Sequence, residues 1–291
     1  MQFQEIIFQQ IAIKVLINML DRIKQAIRII FKRKEIVNLN VTYSAPNARF
    51  EGKKVMVTGG TSGIGLAIAK AFMAEGATVL ICARKQEGLD RTLATLKSPN
   101  LKAMQLDISE INVLKGKICE AADLLGGIDI FINAAGVSAY SGDIMSEQMY
   151  DYICDINQKG LFFMNQIEGD YFIDNKIEGK IINLTSKAGE RIGFDPYTLS
   201  KWGANSITRG NARRLAPYHI NVNGIAPGRV PTNITEELQQ YIDSDNVYTP
   251  NHSTGRFTMP EEVAETAMFL ASGAANNIVG QIIVMDGGSY N

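Results

Sequence analysis

The 291-residue sequence predicts an α/β fold: a doubly wound, seven-stranded parallel sheet of Rossmann-like type with an added N-terminal amphipathic helix. Three observations lead there. Short β-branched runs alternate with helix-length segments from residue 54 onward, a glycine-rich turn closes the first run, and residues 3–37 read as one apolar and basic helix. Near-continuous apolar strands joined by helix-length crossovers imply a parallel sheet covered on both faces.

The N-terminal helix comes first. Residues 3–37 are dense in Ile, Leu, Phe, Val and Met, interrupted by Lys14 and Asp21. The uncharged apolar run 6–13 is too short to cross a bilayer, and no small-residue cleavage site follows a short apolar core. Residues 1–40 carry a net +4 and the remaining 251 residues −5, with Lys32, Arg33 and Lys34 massed at the helix end. Two readings stand side by side. One is an amphipathic helix lying at an anionic membrane surface or against a partner. The other is an extra helix packed on its own domain or a dimer mate, its cationic end favoured by the helix dipole. Residues 38–50, with Asn, Ser and Pro, look like a linker. The chain is thus expected to divide into an extension over 1–45 and a nucleotide-binding catalytic domain over 46–291.

The seven strands are predicted at 55–57, 78–81, 103–106, 128–132, 180–184, 220–222 and 281–284, with helices between them. Composition narrows the function. Apolar residues make up 46% and charged residues 20%, and the formal charge is −1, so no nucleic-acid footprint appears. Cys82, Cys119 and Cys154 are scattered and odd in number, which argues against a disulfide framework and makes a reducing cytoplasm the default, with peripheral membrane attachment left open by the first helix. With only His219 and His252 in unrelated segments, no catalytic metal is expected.

Between the first strand and a helix starting near Ile64 lie Gly59, Ser62, Gly63 and Gly65. Glycines there permit a tight turn, let backbone N–H groups approach a pyrophosphate, and let helix and strand pack closely. The spacing Gly-x-x-x-Gly-x-Gly departs from Gly-x-Gly-x-x-Gly, and a plain strand-to-helix loop is the competing reading. The second strand ends in Ala83-Arg84-Lys85, where NAD binding would want a carboxylate for the ribose 2′-hydroxyl. A guanidinium bonds a phosphate well, so NADP(H) is favoured, with NAD(H) possible.

Tyr197 and Lys201 stand four residues apart, on one face of a helix about a turn from each other. A nearby ammonium favours the phenolate and lowers the phenol from its usual ~10, fitting it for proton exchange with an alcohol or carbonyl oxygen. Ser186 and its rival Thr185 are hydroxyls that could orient a substrate oxygen, or cap the fifth strand.

Taken together, Thr58-Gly59-x-x-x-Gly63-x-Gly65, Asn133-Ala134-Ala135-Gly136, Asn157, Ser186, Tyr197-x-x-x-Lys201, Pro227-Gly228 and Asp286-Gly287-Gly288 make residues 50–291 resemble the short-chain dehydrogenase/reductase superfamily in its compact single-domain branch. The resemblance implies NAD(P)-dependent hydride transfer with a secondary alcohol or ketone. It implies Tyr197 as proton donor or acceptor, Lys201 as its tuner and ribose contact, Ser186 as the orienter of substrate oxygen, and Asn157 as part of a proton relay. Cofactor contacts would come from Gly59, Thr61, Ser62, Gly63, Ile64, Gly65, Arg84, Asp107, Asn133, Ala134, Gly136, Tyr197, Lys201, Pro227, Gly228, Val230 and Thr232. Asp107 could instead cap a turn through Ser109. The eleven residues from Ser186 to Tyr197 are a tighter separation than the family's usual one.

Residues 233–258 would be a substrate lid, and their Tyr241, Tyr248, Pro250, His252 and Arg256 do not choose among sugars, acyl chains and polyketides. Arg191, Phe194, Tyr140 and Arg229 are further candidates for the pocket wall. The segments 150–172 and 197–215 are apolar on more than one face, predicting a homodimer or homotetramer. A nucleotide-binding scaffold at a membrane, with catalysis secondary, is the alternative function. A sugar-nucleotide epimerase or dehydratase fits less well because no second substrate domain follows the seventh strand.

Overall fold

The computed structural model describes residues 48–138, 145–232 and 252–289, together with Met19 and Ile23. The chain divides into two compact units, Met1–Val41 and Thr42–Asn291. In the first, Met19 and Ile23 are helical and exposed, and the rest of the amphipathic helix expected over 3–37 lies outside the described residues, as does the linker up to residue 47. Among the described residues, no helix is long and apolar enough to cross a membrane.

The second unit is a seven-stranded, all-parallel sheet in the order β3-β2-β1-β4-β5-β6-β7. Its strands are β1 (Lys54–Thr58), β2 (Thr78–Ala83), β3 (Leu101–Gln105), β4 (Ile130–Asn133), β5 (Lys180–Leu184), β6 (Asn221–Pro227) and β7 (Ile282–Met285). Helices α1 (Gly63–Ala74), α2 (Gln86–Leu96), α3 (Ile111–Leu125), α4 (Glu147–Cys154), α5 (Leu161–Asn175), α6 (Pro196–Leu215) and α7 (Pro260–Ala271) flank it.

Val55 to Val57 of β1 and Ile130 to Ile132 of β4 read as unbroken apolar runs because both faces of these central strands are covered. Val55 and Val57 enter one core with Ile68 and Phe72 of α1 and Val263 and Met268 of α7. Met56, between them, enters the opposite core with Ile118 of α3, Phe172 of α5 and Leu215 of α6. Successive strand side chains point to opposite faces, so each core claims alternate residues. Each fully buried large apolar side chain contributes roughly 1.5–3 kcal/mol.

All seven predicted strands are present, with shifted ends. The fourth begins at Ile130 instead of 128, because the Ile128 amide donates to the Tyr171 hydroxyl and the Asp129 amide to the Lys54 carbonyl as a lead-in. The sixth runs on to Pro227, since Gly224 to Pro227 pair with Ile282 to Met285. The segment expected as one helix around Tyr150 to Phe172 is divided: between α4 and α5 lies a π turn, Asp155–Gly160. That wider turn carries Asn157 inward to 2% exposure. On the outer faces, Phe162 of α5 and Leu199 and Trp202 of α6 remain about half exposed.

β1 pairs with both β2 and β4, so the direction of winding reverses there. In open parallel sheets a crevice opens beyond the carboxyl ends of the strands at such a reversal.

Candidate active site

A cleft of about 430 Å³ lies at that reversal. Its first part is the turn after β1. Gly59 and Gly63 adopt φ of +69° and +51°, and a Cβ on Gly65 would stand 2.3 Å from the Gly59 carbonyl oxygen. Only glycine closes the bend so tightly. Ser62 is the N-cap of α1 but its side chain makes no capping bond, which leaves first-turn N–H groups of α1 turned to the cleft with the positive end of the helix dipole. Thr61, Ser62 and Ile64 line the cleft with these glycines. Such a cradle fits a pyrophosphate.

Beyond the end of β2, Ala83, Arg84, Lys85 and the α2 residues Glu87, Gly88 and Arg91 form the outer wall. The Arg84 guanidinium sits 5.6 Å over the Tyr152 ring of α4, a cation–π contact that holds it at the rim. Lys85 and Arg91 were not singled out from the sequence. Arg91 shares a helix face with Glu87 and Gly88, a spacing that would have revealed it.

The inner end is built on β4, β5 and α6. Asp195 caps α6 by accepting from the Thr198 amide at 2.8 Å, and Pro196 occupies its first turn. That fixes Tyr197 in the first turn and Lys201 one turn on. Lys201 is buried, with Nζ donating to the Leu184 carbonyl at 3.1 Å and lying 5.7 Å from the Tyr197 ring centre. A Cβ on Gly136 would meet Asn157 Oδ1 at 3.4 Å and Lys201 Nζ at 3.6 Å, so the asparagine and the ammonium converge on one glycine. The Asn157 amide clamps Val137 from both sides, accepting from its N–H and donating to its carbonyl at 2.8 Å each, and Nδ2 also donates to Ser200 Oγ at 3.2 Å.

Ser186 is a polar neighbour of Tyr197 and acts to lower its phenol pKa. Ser186 Oγ accepts from the Ala188 amide at 3.1 Å, whereas the rival Thr185 donates its hydroxyl to the Ile225 carbonyl. Next to Ser186, Lys187 forms a 2.7 Å ion pair with Asp286 and bonds Ser289, tying the turn after β7 to the serine's segment.

The electrostatics correct one expectation. Burial pushes the Tyr197 phenol above its ordinary value; Ser186 and the Arg191 charge pull it down, while Asp195 pushes it up. Burial lowers Lys201 to about 8. The chain's own groups therefore keep the phenol protonated at neutral pH, and the ammonium, aimed at Leu184, does not by itself turn it into a phenolate.

Other expected contacts sit differently. Ala134, Gly136, Pro227 and Thr232 line the cleft, as do Thr58, Ala135, Val137, Ile156 and Leu184. Gly228 and Val230 do not line the cleft: Gly228 packs against Asp286, and Val230 is buried in the core beside β1. Asp107 accepts from the Ser109 amide and hydroxyl, the capping alternative, while its neighbours Leu106 and Ile108 face the cleft. Asn133 turns away from the cleft, 4% exposed, to bond Glu168 and Asn183. Residues 233–251 of the expected lid and Tyr140 lie outside the described residues. Phe194 is fully exposed. His252 is buried against the turns at Gly228 and Gly287, and Arg256 pairs with Glu262, so neither is free as a lid residue. Among the described residues, no cluster suits a metal ion.

Comparison with known proteins decides the family. Residues 59–290 match a family model described as enoyl-(acyl carrier protein) reductase. A 3-oxoacyl-[acyl-carrier-protein] reductase of Thermotoga maritima is 33% identical over 82% of this chain and 98% of its own length. A dehydrogenase/reductase SDR family member 4 of Sus scrofa is 32% identical over 82% of this chain and 88% of its own. The chain is a short-chain dehydrogenase/reductase. Among solved structures, a short-chain type dehydrogenase/reductase from Mycobacterium marinum superposes with a TM-score of 0.74 at 30% identity, covering 84% of this chain and 97% of that one. As a member of this family the protein is an NAD(P)-dependent oxidoreductase, and its cleft has the glycine turn at one end and the Tyr197 and Lys201 side chains at the other.

Proposed function

We propose that this short-chain dehydrogenase/reductase interconverts a secondary alcohol and a ketone on a small molecule, prefers NADP(H), and uses Tyr197 as its general acid and base. The observation that carries the reading is that Tyr197 and Lys201 line the same cleft as the glycine turn. Ser186 polarises the substrate oxygen, Tyr197 gives or takes its proton, and the Lys201 ammonium stabilises the charge that develops as the proton moves. Asn157 holds the 137 segment in register with Lys201. The dinucleotide, when bound, supplies or accepts the hydride, and the chain contributes placement and field. Relatives named galactitol 2-dehydrogenase of Agrobacterium fabrum, 33% identical, and L-2,3-butanediol dehydrogenase of Corynebacterium glutamicum, 31% identical, support a hydroxylated substrate. Oxidation of NADPH and NADH across a panel of ketones, followed by absorbance, tests it; no turnover with either cofactor would refute it.

The cofactor preference rests on Arg84, Lys85 and Arg91 at the outer wall. Arg84→Ala is expected to weaken NADPH binding by about tenfold, the worth of one charge-assisted contact of ~1.4 kcal/mol, while NADH binding changes little. Fluorescence titration of both cofactors reads this directly, and equal losses for the two would contradict an NADP assignment.

The cationic extension over residues 1–40 favours a second reading, attachment to an anionic membrane surface with the enzyme as cargo. Full-length protein is then expected to float with phosphatidylserine vesicles at low salt, and a chain beginning at Asn47 to stay behind. Co-flotation of neither removes the idea.

A further inference from the structure

A polar network lies beneath the inner end of the cleft, and the mechanism above makes no use of it. Glu168 of α5 is 0% exposed, as are Asn165 and Asn183. Its Oε2 accepts from Asn133 Nδ2 at 2.9 Å and from Asn165 Nδ2 at 3.5 Å. Asn183 Oδ1 accepts from Asn133 and Asn165, each at 3.0 Å, and Asn183 Nδ2 donates to Asn165 Oδ1 and Thr208 Oγ1. Glu168 Oε1 has no partner among the described residues.

A buried carboxylate needs a cation or several donors. Among the described residues, β4, β5 and α6 turn Asn133, Asn183 and Thr208 into this network, and α5 adds Asn165; none titrates. Charged groups of the packed elements are engaged elsewhere: Asp155 with Lys159 in the π turn, Lys117 with Glu120 on α3, and Asp170 of α5 with Arg214 of α6. An acid without a counter-ion in such a place is carried un-ionised. Burial pushes the Glu168 carboxyl up to about 8, the Asn133 bond only partly offsetting it.

The network's position gives it a purpose. Asn133 is the last residue of β4 and leads into Ala134, Ala135 and Gly136 on the cleft wall; Asn183 directly precedes Leu184, whose carbonyl receives Lys201 Nζ. We propose that Glu168 is a positioning residue of the active site, a neutral carboxylic acid that ties the end of β4 to α5, holding Asn133 and Asn165 where both bond Asn183 of β5, so that the 134–137 wall and the Lys201 anchor keep their spacing. This rests on the nucleotide-binding reading of the cleft.

The sign of the pH dependence follows. The folded chain keeps a proton on Glu168 that the unfolded chain releases between about 4.5 and about 8. Stability from this site is fully present below about 4.5 and is lost as pH rises through about 8. Cofactor affinity should loosen over the upper part of the same range.

The test uses the full chain as wild type, Glu168→Gln and Glu168→Leu. Infrared difference spectra of wild type against Glu168→Gln at pH 6.5 should show the carbonyl stretch of an un-ionised acid. Glu168→Gln should bind NADPH within about threefold of wild type at pH 6.5 and lose the wild-type weakening between pH 7 and 9, while Glu168→Leu binds about tenfold more weakly, ~1.4 kcal/mol. Absence of the acid band, or identical pH profiles of NADPH affinity for wild type and Glu168→Gln, overturns the proposal. If Glu168→Leu fails to fold, those two measurements still decide. Wild type that binds neither NADPH nor NADH refutes the nucleotide reading instead, and with it the positioning role, even where the acid band is present.

Discussion

Tyr197→Phe is expected to lower turnover by about 10²–10⁴-fold, the usual share of general acid–base catalysis, while leaving the fold and cofactor binding near wild type. The ring stays where α6 puts it, because Asp195 and Pro196 set the helix start independently of the phenol oxygen. What disappears is the hydroxyl of a residue that lines the cleft, and with it the proton. Since burial holds the phenol above its ordinary value, the wild type starts a reduction with the proton already in place, and loss of rate should show in kcat more than in KM. Steady-state kinetics with any accepted ketone, beside NADPH titration, check it. Full activity in the variant would assign the proton to another group.

Gly65→Ala should abolish measurable cofactor binding. The added Cβ would lie 2.3 Å from the Gly59 oxygen and 2.9 Å from its carbonyl carbon, and both are backbone atoms of the bend itself. A flexible side chain could step aside. A backbone cannot without opening the turn, so the cradle widens and α1 tilts off β1, at roughly 1–3 kcal/mol of stability for the overpacking. Gly116→Ala is the control. On the exposed side of α3 nothing stands within 4 Å of its Cβ, and alanine there should stabilise by about 0.5–1 kcal/mol. Urea denaturation and NADPH titration on the two variants separate a steric effect in the cradle from a general effect of removing glycine. Equal NADPH affinity in Gly65→Ala and wild type would mean the pyrophosphate lies elsewhere.

The parts of this molecule that were legible in its sequence are those where one physical demand dominates. Strands covered on both faces must be apolar throughout, so Val55 to Val57 and Ile130 to Ile132 announce themselves. A bend that admits no Cβ must be glycine, which exposes the turn after β1. The helical spacing of Tyr197 and Lys201 was equally plain. What depended on tertiary placement was not. Asn133 carries no sign of whether it turns to the cleft or away, and its partner Glu168 reads by composition as a surface residue. Nothing in Asp-Ile-Asn-Gln-Lys-Gly marks a π turn, because the extra residue is forced by packing: a Cβ on Gly160 would stand 2.7 Å from the Ile108 carbonyl oxygen, a closeness only the assembled fold reveals. The balance on the Tyr197 phenol was misjudged for the same reason, since spacing shows the ammonium nearby but not the depth at which both groups lie.

Lys187 joins the Ser186 segment to Asp286 and Ser289, and Ser253 grips Gly288 from the other side. The turn after β7 thus braces the segment that follows β5. Cargo fused behind Asn291, or trimming that reaches Asp286, should be felt by Ser186 through a single lysine, so kinetic constants taken on such material would describe the attachment as much as the enzyme.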